Sequence, residues 1–166
     1  MIVDIHKGRR NNTAVCTSLF SKHGKSAQNS MDICGIWKVR ELRMPTPEGV
    51  KVYTPDALPP EDDELYDDIL QQLQLRTEFA ADGTVSTLLA VPEEMRAEAA
   101  RQGVTVREDG YAVVDSTTWK EEDGRFYYDT GITGEVMGEP TDPFMAIDVT
   151  EDGCLLYQMG MILLER

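Results

Sequence analysis

The sequence predicts an all-β fold: an antiparallel up-and-down barrel of about eight strands with one or two short helices. Three observations predict it. From residue 34 onward, apolar and polar residues alternate with a period of two, as in strands with one buried face. Asp-Gly pairs fall at 82–83, 109–110, 123–124 and 152–153, each between strand-like runs. Asp and Gly tolerate the positive φ that tight hairpin turns need. A series of hairpins with one apolar face must also close or fold over to hide that face, and an eight-stranded barrel is the simplest closure.

The elements follow in chain order. Residues 1–30 carry five Lys/Arg and one Asp among Ser, Asn and Gly, and read as a disordered basic head. This segment lacks the apolar core and cleavage site of a secretory signal, and Met31 is a candidate natural start. The first strand covers 34–43, where Trp37 and Val39 share one face and Lys38 and Arg40 the other. A second follows at 50–54. The stretch 58–72 predicts a helical turn or two, with Leu65, Ile69, Leu70 and Leu73 as its apolar side. Its six acids lack the ligand spacing and glycine of a calcium loop, so they read as a solvated face.

Strands are expected next at 73–80 and 84–91. A short helix over 92–103 opens on Pro92, has acids in its first turn and stops at Gly103. Further strands are expected at 104–108, 111–120 and 125–130, at 144–149 as a ninth, and at 154–164. The last reads as one strand with Leu155, Tyr157, Met159, Met161 and Leu163 on a single face. The glycines at 131, 134 and 138 are not followed by Lys-Ser/Thr and lie outside any βαβ unit. They read as a mobile loop at a barrel mouth rather than a phosphate cradle.

Composition excludes several function classes. Residues 31–166 hold 11 bases against 29 acids, a net −18, which repels phosphate backbones and argues against nucleic-acid binding. No apolar run is long enough to span a membrane as a helix. The only histidines, His6 and His23, fall in the head, which weakens His-dependent catalysis, zinc and haem ligation together. No metal and no cofactor is expected. Three cysteines without a signal sequence suggest reduced thiols in the cytoplasm. With Cys34 opening the first strand and Cys154 the last, the two would start at opposite barrel ends, so no bond between them is expected.

The stretch "CGIWKVREL" resembles the first strand of the lipocalin-like (calycin) barrels, in which Gly-x-Trp opens the barrel and the Trp plugs one end. "TEFAADGTV" and "TTWKEEDGRFYY" are similar to central hairpins of small bacterial lipocalin-like proteins. The resemblance covers about 31–166. It implies that Gly35 and Trp37 close the barrel and that a late Arg packs across the indole, with Arg166 the candidate and Arg125 a second choice. The helix at 92–103 departs from the plainest family pattern.

The expected inward face includes Leu75, Phe79, Leu89, Asp115, Trp119, Tyr128, Met145, Tyr157 and Met159, the residues that would line a ligand cavity. Methionines suit an adaptable pocket and also suit plain filling. Asp115 falls on the face of Val113 and Trp119, where a carboxylate must be paired, protonated or at work. The alternative is a register shift that turns Val114, Ser116 and Thr118 inward. The resemblance implies a non-enzymatic binding module for a small apolar ligand. Two other readings stay open. One is a structural or protein-interaction domain with a filled barrel and an acidic surface. The other is a small barrel enzyme, of isomerase or decarboxylase type, using Asp115 with a tyrosine.

Overall fold

The computed structural model describes residues 31–166, so the expected basic head lies outside the described residues. The chain runs β1 (Gly35–Thr46), β2 (Gly49–Tyr53), α1 (Tyr66–Gln74), β3 (Arg76–Phe79), β4 (Thr84–Ala90) and α2 (Glu93–Arg101). It continues through β5 (Tyr111–Glu122), β6 (Arg125–Asp129), β7 (Glu135–Val136), β8 (Glu139–Pro140), β9 (Phe144–Val149), β10 (Leu155–Tyr157) and β11 (Ile162–Glu165). Eight strands form a closed antiparallel barrel in the order β1-β3-β4-β5-β6-β9-β10-β11, and β11 pairs back to β1. Neighbours in space are neighbours in sequence apart from two side hairpins. One joins β2 to the far half of β1; the other is β7–β8.

The four Asp-Gly pairs all lie in turns. Three share one construction, in which the glycine N–H donates three residues back: Gly83 to Ala80, Gly110 to Arg107 and Gly153 to Thr150. These glycines sit at φ 87°, 87° and 78°, the left-handed residue of a three-residue hairpin loop. The fourth turn is a two-residue loop between Glu122 and Arg125, with both Asp123 and Gly124 at positive φ. In the first turn, the Asp82 carboxylate accepts the Thr84 N–H at 2.9 Å and fixes the exit into β4.

Three strand expectations are corrected. The run 154–164 is two strands, β10 and β11, joined by a turn in which Gln158, Met159 and Gly160 all take positive φ. Pairing of Tyr157 with Ile162 and Leu155 with Leu164 then makes the inward set odd-numbered before the turn and even-numbered after it. Residues 104–108 form no strand and contribute one isolated bridge, Val106 to Ala112. The expected 73–80 strand begins only at Arg76, because Leu73 and Gln74 belong to α1. That helix follows the Pro-rich loop as expected, with Leu65 at its N-cap. Ile69 and Leu73 are buried in the core, while Leu65 is exposed.

Two cysteine expectations fare differently. Cys154 is a free, buried thiol, so it is not bonded to Cys34. The geometry behind that expectation does not hold, however. The β10–β11 hairpin sets β10 parallel to β1, two strands away, rather than pairing Cys154's strand with β1. Cys34 itself is disulfide-bonded, which corrects the expectation that the cysteines are reduced.

The registers define two ends. Gly35, the turns at 80–84, 123–124 and 150–154, and Glu165 gather at one end. The other end receives α1, the segment from 91 to 110, the β7–β8 hairpin and the turn at 158–161. The core between them is built from Trp37, Val39, Leu42, Phe79, Val85, Phe126, Tyr128, Ile147, Leu155, Tyr157, Ile162 and Leu164, joined by Ile69 and Leu73 of α1.

Candidate functional site

The first end is closed by Trp37. Its ring has no exposed surface, and its indole N–H donates to the Ile33 carbonyl at 2.8 Å. Ile33, itself buried, precedes β1 and brings that carbonyl over the ring. The Arg166 guanidinium lies 4.9 Å from the ring centroid and donates a hydrogen bond to the Asp32 carbonyl, so Arg166 and the segment before β1 cover the indole together. Gly35, at φ 126°, supplies a backbone conformation that side-chain-bearing residues rarely adopt. No neighbour crowds it, so its role is conformational rather than one of close approach. Arg125, at the β5–β6 turn, is exposed.

The interior also holds aromatic rings in mutual contact. Phe79 meets Trp119 and Tyr157 edge-on, each at 6.0 Å between centroids. Trp119 reaches Phe126 at 6.1 Å, and Tyr128 reaches Tyr157 at 4.6 Å. These are the separations at which rings pack favourably. The Trp119 indole N–H donates to the Ala80 carbonyl at 2.9 Å, so this polar handle is spent inside the fold. The Tyr128 hydroxyl donates to Met145 Sδ at 3.5 Å.

The nine expected lining residues therefore separate. Phe79, Tyr128 and Tyr157 are buried core, and Trp119 and Met145 pack against it. Leu75 caps α1 and is half-buried. Leu89 is half-buried opposite Ala112. Met159 is exposed in the turn between β10 and β11, because positive φ at Gln158 and Met159 takes it out of any strand.

Asp115 is exposed. It pairs with Thr87 and so keeps the face of Thr117 and Val85, but an irregularity between Thr87 and Leu88 sets Val113 opposite Leu88 and breaks the alternation there. The carboxylate is near enough to Tyr157 to oppose that phenol's ionisation. Burial, followed by Tyr128 and Asp115, pushes the Tyr157 hydroxyl up to about 12. Burial also raises Tyr128.

Two depressions stand out, each on a pair of neighbouring strands. One, of about 270 Å³, is lined by Gly124–Phe126 and Ala146–Val149, the core residues Phe126 and Ile147 among them. The other, of about 250 Å³, lies at the tip of the β1–β2 hairpin around Thr46–Glu48 and Lys51. None of the nine expected lining residues borders either one. Among the described residues, no group of three or more His, Cys, Asp or Glu could hold a metal ion, and no helix is long and apolar enough to cross a membrane.

The second end carries features that the pattern of alternation did not single out. The glycine-rich stretch 130–140, read above as a loop, contains the β7–β8 hairpin, with Met137 and Gly138 at positive φ in its two-residue turn. Ile132 and Val136 are 64% exposed and Met137 fully so. Asp129, Glu135, Glu139 and Asp142 flank them in the sequence, with no base between 129 and 142. The sequence signal was available: three large apolar residues in a segment with neither strand nor helix period have no core face to occupy.

In comparisons with known proteins, no family model, no curated protein and no solved structure matches the chain, so what it shares with others is read here from the closed eight-stranded antiparallel barrel alone.

Proposed function

We propose that this chain is a non-enzymatic, lipocalin-like interaction domain. Its filled barrel serves as the scaffold, and its acidic, apolar-tipped second end makes the contact. One observation carries the choice: rings from β3, β5, β6 and β10 meet one another in the core, and neither depression is bordered by a residue expected to line a ligand cavity. A small-molecule site typically needs an enclosed volume of roughly 300–1,000 Å³, which makes the interior a poorer support for an apolar ligand than the surface is for a partner. The acid–base reading has less support still. Tyr128 spends its hydroxyl on Met145, and Tyr157 stays protonated at neutral pH, where it is no base.

The hairpin segment with exposed Ile132, Val136 and Met137, flanked in sequence by four acids, fits an apolar socket rimmed by Lys or Arg on a protein surface. Native mass spectrometry of the protein taken from its own cells tests this. A bare polypeptide, or one carrying a basic protein that Met137→Asp releases without changing the fold, is the expected result. A co-purifying apolar small molecule would return the function to the barrel interior.

A further inference from the structure

The β1–β2 hairpin projects from the barrel. β11 reaches β1 only as far as the Leu42–Ile162 pair and the bond from the Arg43 N–H to the Met161 carbonyl. Met44–Thr46 and their partners on β2 extend beyond it as a two-stranded ribbon. β2 ends the sheet order and has no strand on its other side.

The Arg43 bond fixes which groups point outward. Arg43 donates away from β2, so the Arg43–Val52 and Pro45–Val50 pairs are the ones that exchange no ladder bonds. The N–H and C=O groups of Val50 and Val52 therefore face the open edge of β2. The corresponding edge of β1 beyond β11 carries Pro45, which has no N–H to offer. β2 has neither proline nor bulge, and its valines are 63% and 49% exposed. A protein normally guards such an edge.

We infer that β2 pairs antiparallel with β2 of a second copy of this chain, forming a weak two-fold dimer through a four-stranded ribbon. An edge strand is self-complementary about a two-fold axis. Electrostatics favour this place over any other. The ribbon, residues 44–53, holds one base and one acid, a net 0, while the rest of residues 31–166 holds ten bases and 28 acids, a net −18. Two such bodies repel each other everywhere except at the ribbon. Three residues of projection at about 3.3 Å each set the contact about 10 Å clear, which exceeds the screening length of about 8 Å at physiological salt. The register places Val50 against its own copy, which centres the contact on the projecting part of the ribbon, avoids setting Lys51 directly opposite Lys51 of the second chain, and leaves aside Thr54, whose N–H and C=O are bonded to Ala57.

Sedimentation equilibrium of the full chain, from about 1 µM to about 1 mM, tests this. The expected mass rises from that of one chain toward that of two, at lower concentration when salt is added. Val50→Pro removes an N–H that β1 does not use and should hold the mass at one chain, while the near-UV circular dichroism stays unchanged. Val50→Lys keeps every backbone group, sets two lysines directly opposite each other and should weaken association at least tenfold, which preserves the test if the proline variant misfolds. A single-chain mass throughout would overturn the inference. So would a dimer that persists in both variants, because its contact would then lie elsewhere.

Discussion

Trp37 has no exposed surface, and both of its chemical needs are met: the Ile33 carbonyl accepts from its N–H, and the Arg166 guanidinium lies over its ring face. Trp37→Ala should cost about 3–5 kcal/mol, because the plug leaves a cavity that β1 cannot collapse into. Arg166→Ala should cost only about 0.5–1 kcal/mol, since the guanidinium is exposed. Urea midpoints of the two variants measure the difference, and equal losses would mean that the Arg matters for something other than the ring. Tyr157 makes a second residue-scale prediction. Its folded pKa, about 12, lies above the unfolded value of about 10. The folded state then holds a proton that the unfolded chain has lost, so the group's contribution is complete below pH 10 and disappears as pH rises toward 12. Denaturation at pH 9 and pH 11 should show this fall, and Tyr157→Phe should flatten it.

The hairpin turns are where local sequence decided local structure. Gly153 sits at φ 78° with nothing near its missing Cβ, so Gly153→Ala should cost about 1–2 kcal/mol from backbone strain alone. Gly83→Ala should cost a similar amount, as its new methyl would meet the Trp119 carbonyl at an ordinary contact distance. The converse change belongs to the turn at 158–161. Met159 holds φ 59° with an exposed side chain, so Met159→Gly should stabilise the fold by about 1 kcal/mol, read as a shift in melting temperature. A loss instead would mean that the exposed thioether makes a contact worth more than the strain. These two kinds of turn explain what could be read in advance. Asp-Gly marks a turn by its own chemistry, so all four were legible. At 158–161 the residues forced into positive φ are Gln and Met, and the alternation of Tyr157, Met159 and Met161 runs straight through them on paper. Only the partner strand reveals that the parity has changed. The same applies to 73–75, where Leu73 and Leu75 fit a strand period as well as a helix end, and burial of Ile69 and Leu73 against the core decided for the helix.

For the molecule as a whole, closure was legible because serial hairpins leave few other ways to hide one apolar face. Whether the tube is hollow was not, since that depends on how the rings of Phe79, Trp119, Tyr128 and Tyr157 meet across strands far apart in sequence. Charge was legible in amount but not in arrangement. Several of the few bases are already committed to carboxylates: Lys38 to Glu165 at 3.1 Å, Arg40 to Asp152 at 2.9 Å, and Arg107 to both Glu78 and Asp109. Pairing therefore leaves the net −18 of residues 31–166 standing as unmatched acids over a small barrel. Exposed pairs of this kind contribute about 0–1 kcal/mol each, whereas repulsion among the surplus acids acts on the folded state as a whole and relaxes when the chain expands. Raising sodium chloride from about 0.01 M to about 0.5 M shortens the screening length from about 30 Å to a few ångströms. Repulsion across the barrel should then fade while contact-distance pairs weaken less, and the melting temperature should rise by several degrees. A flat or falling curve would show that the local pairs outweigh the surplus. A rise should be largest near pH 7 and shrink as the pH falls toward the sequence pI of about 4.4, where protonation of the acids removes the charge that the salt had screened.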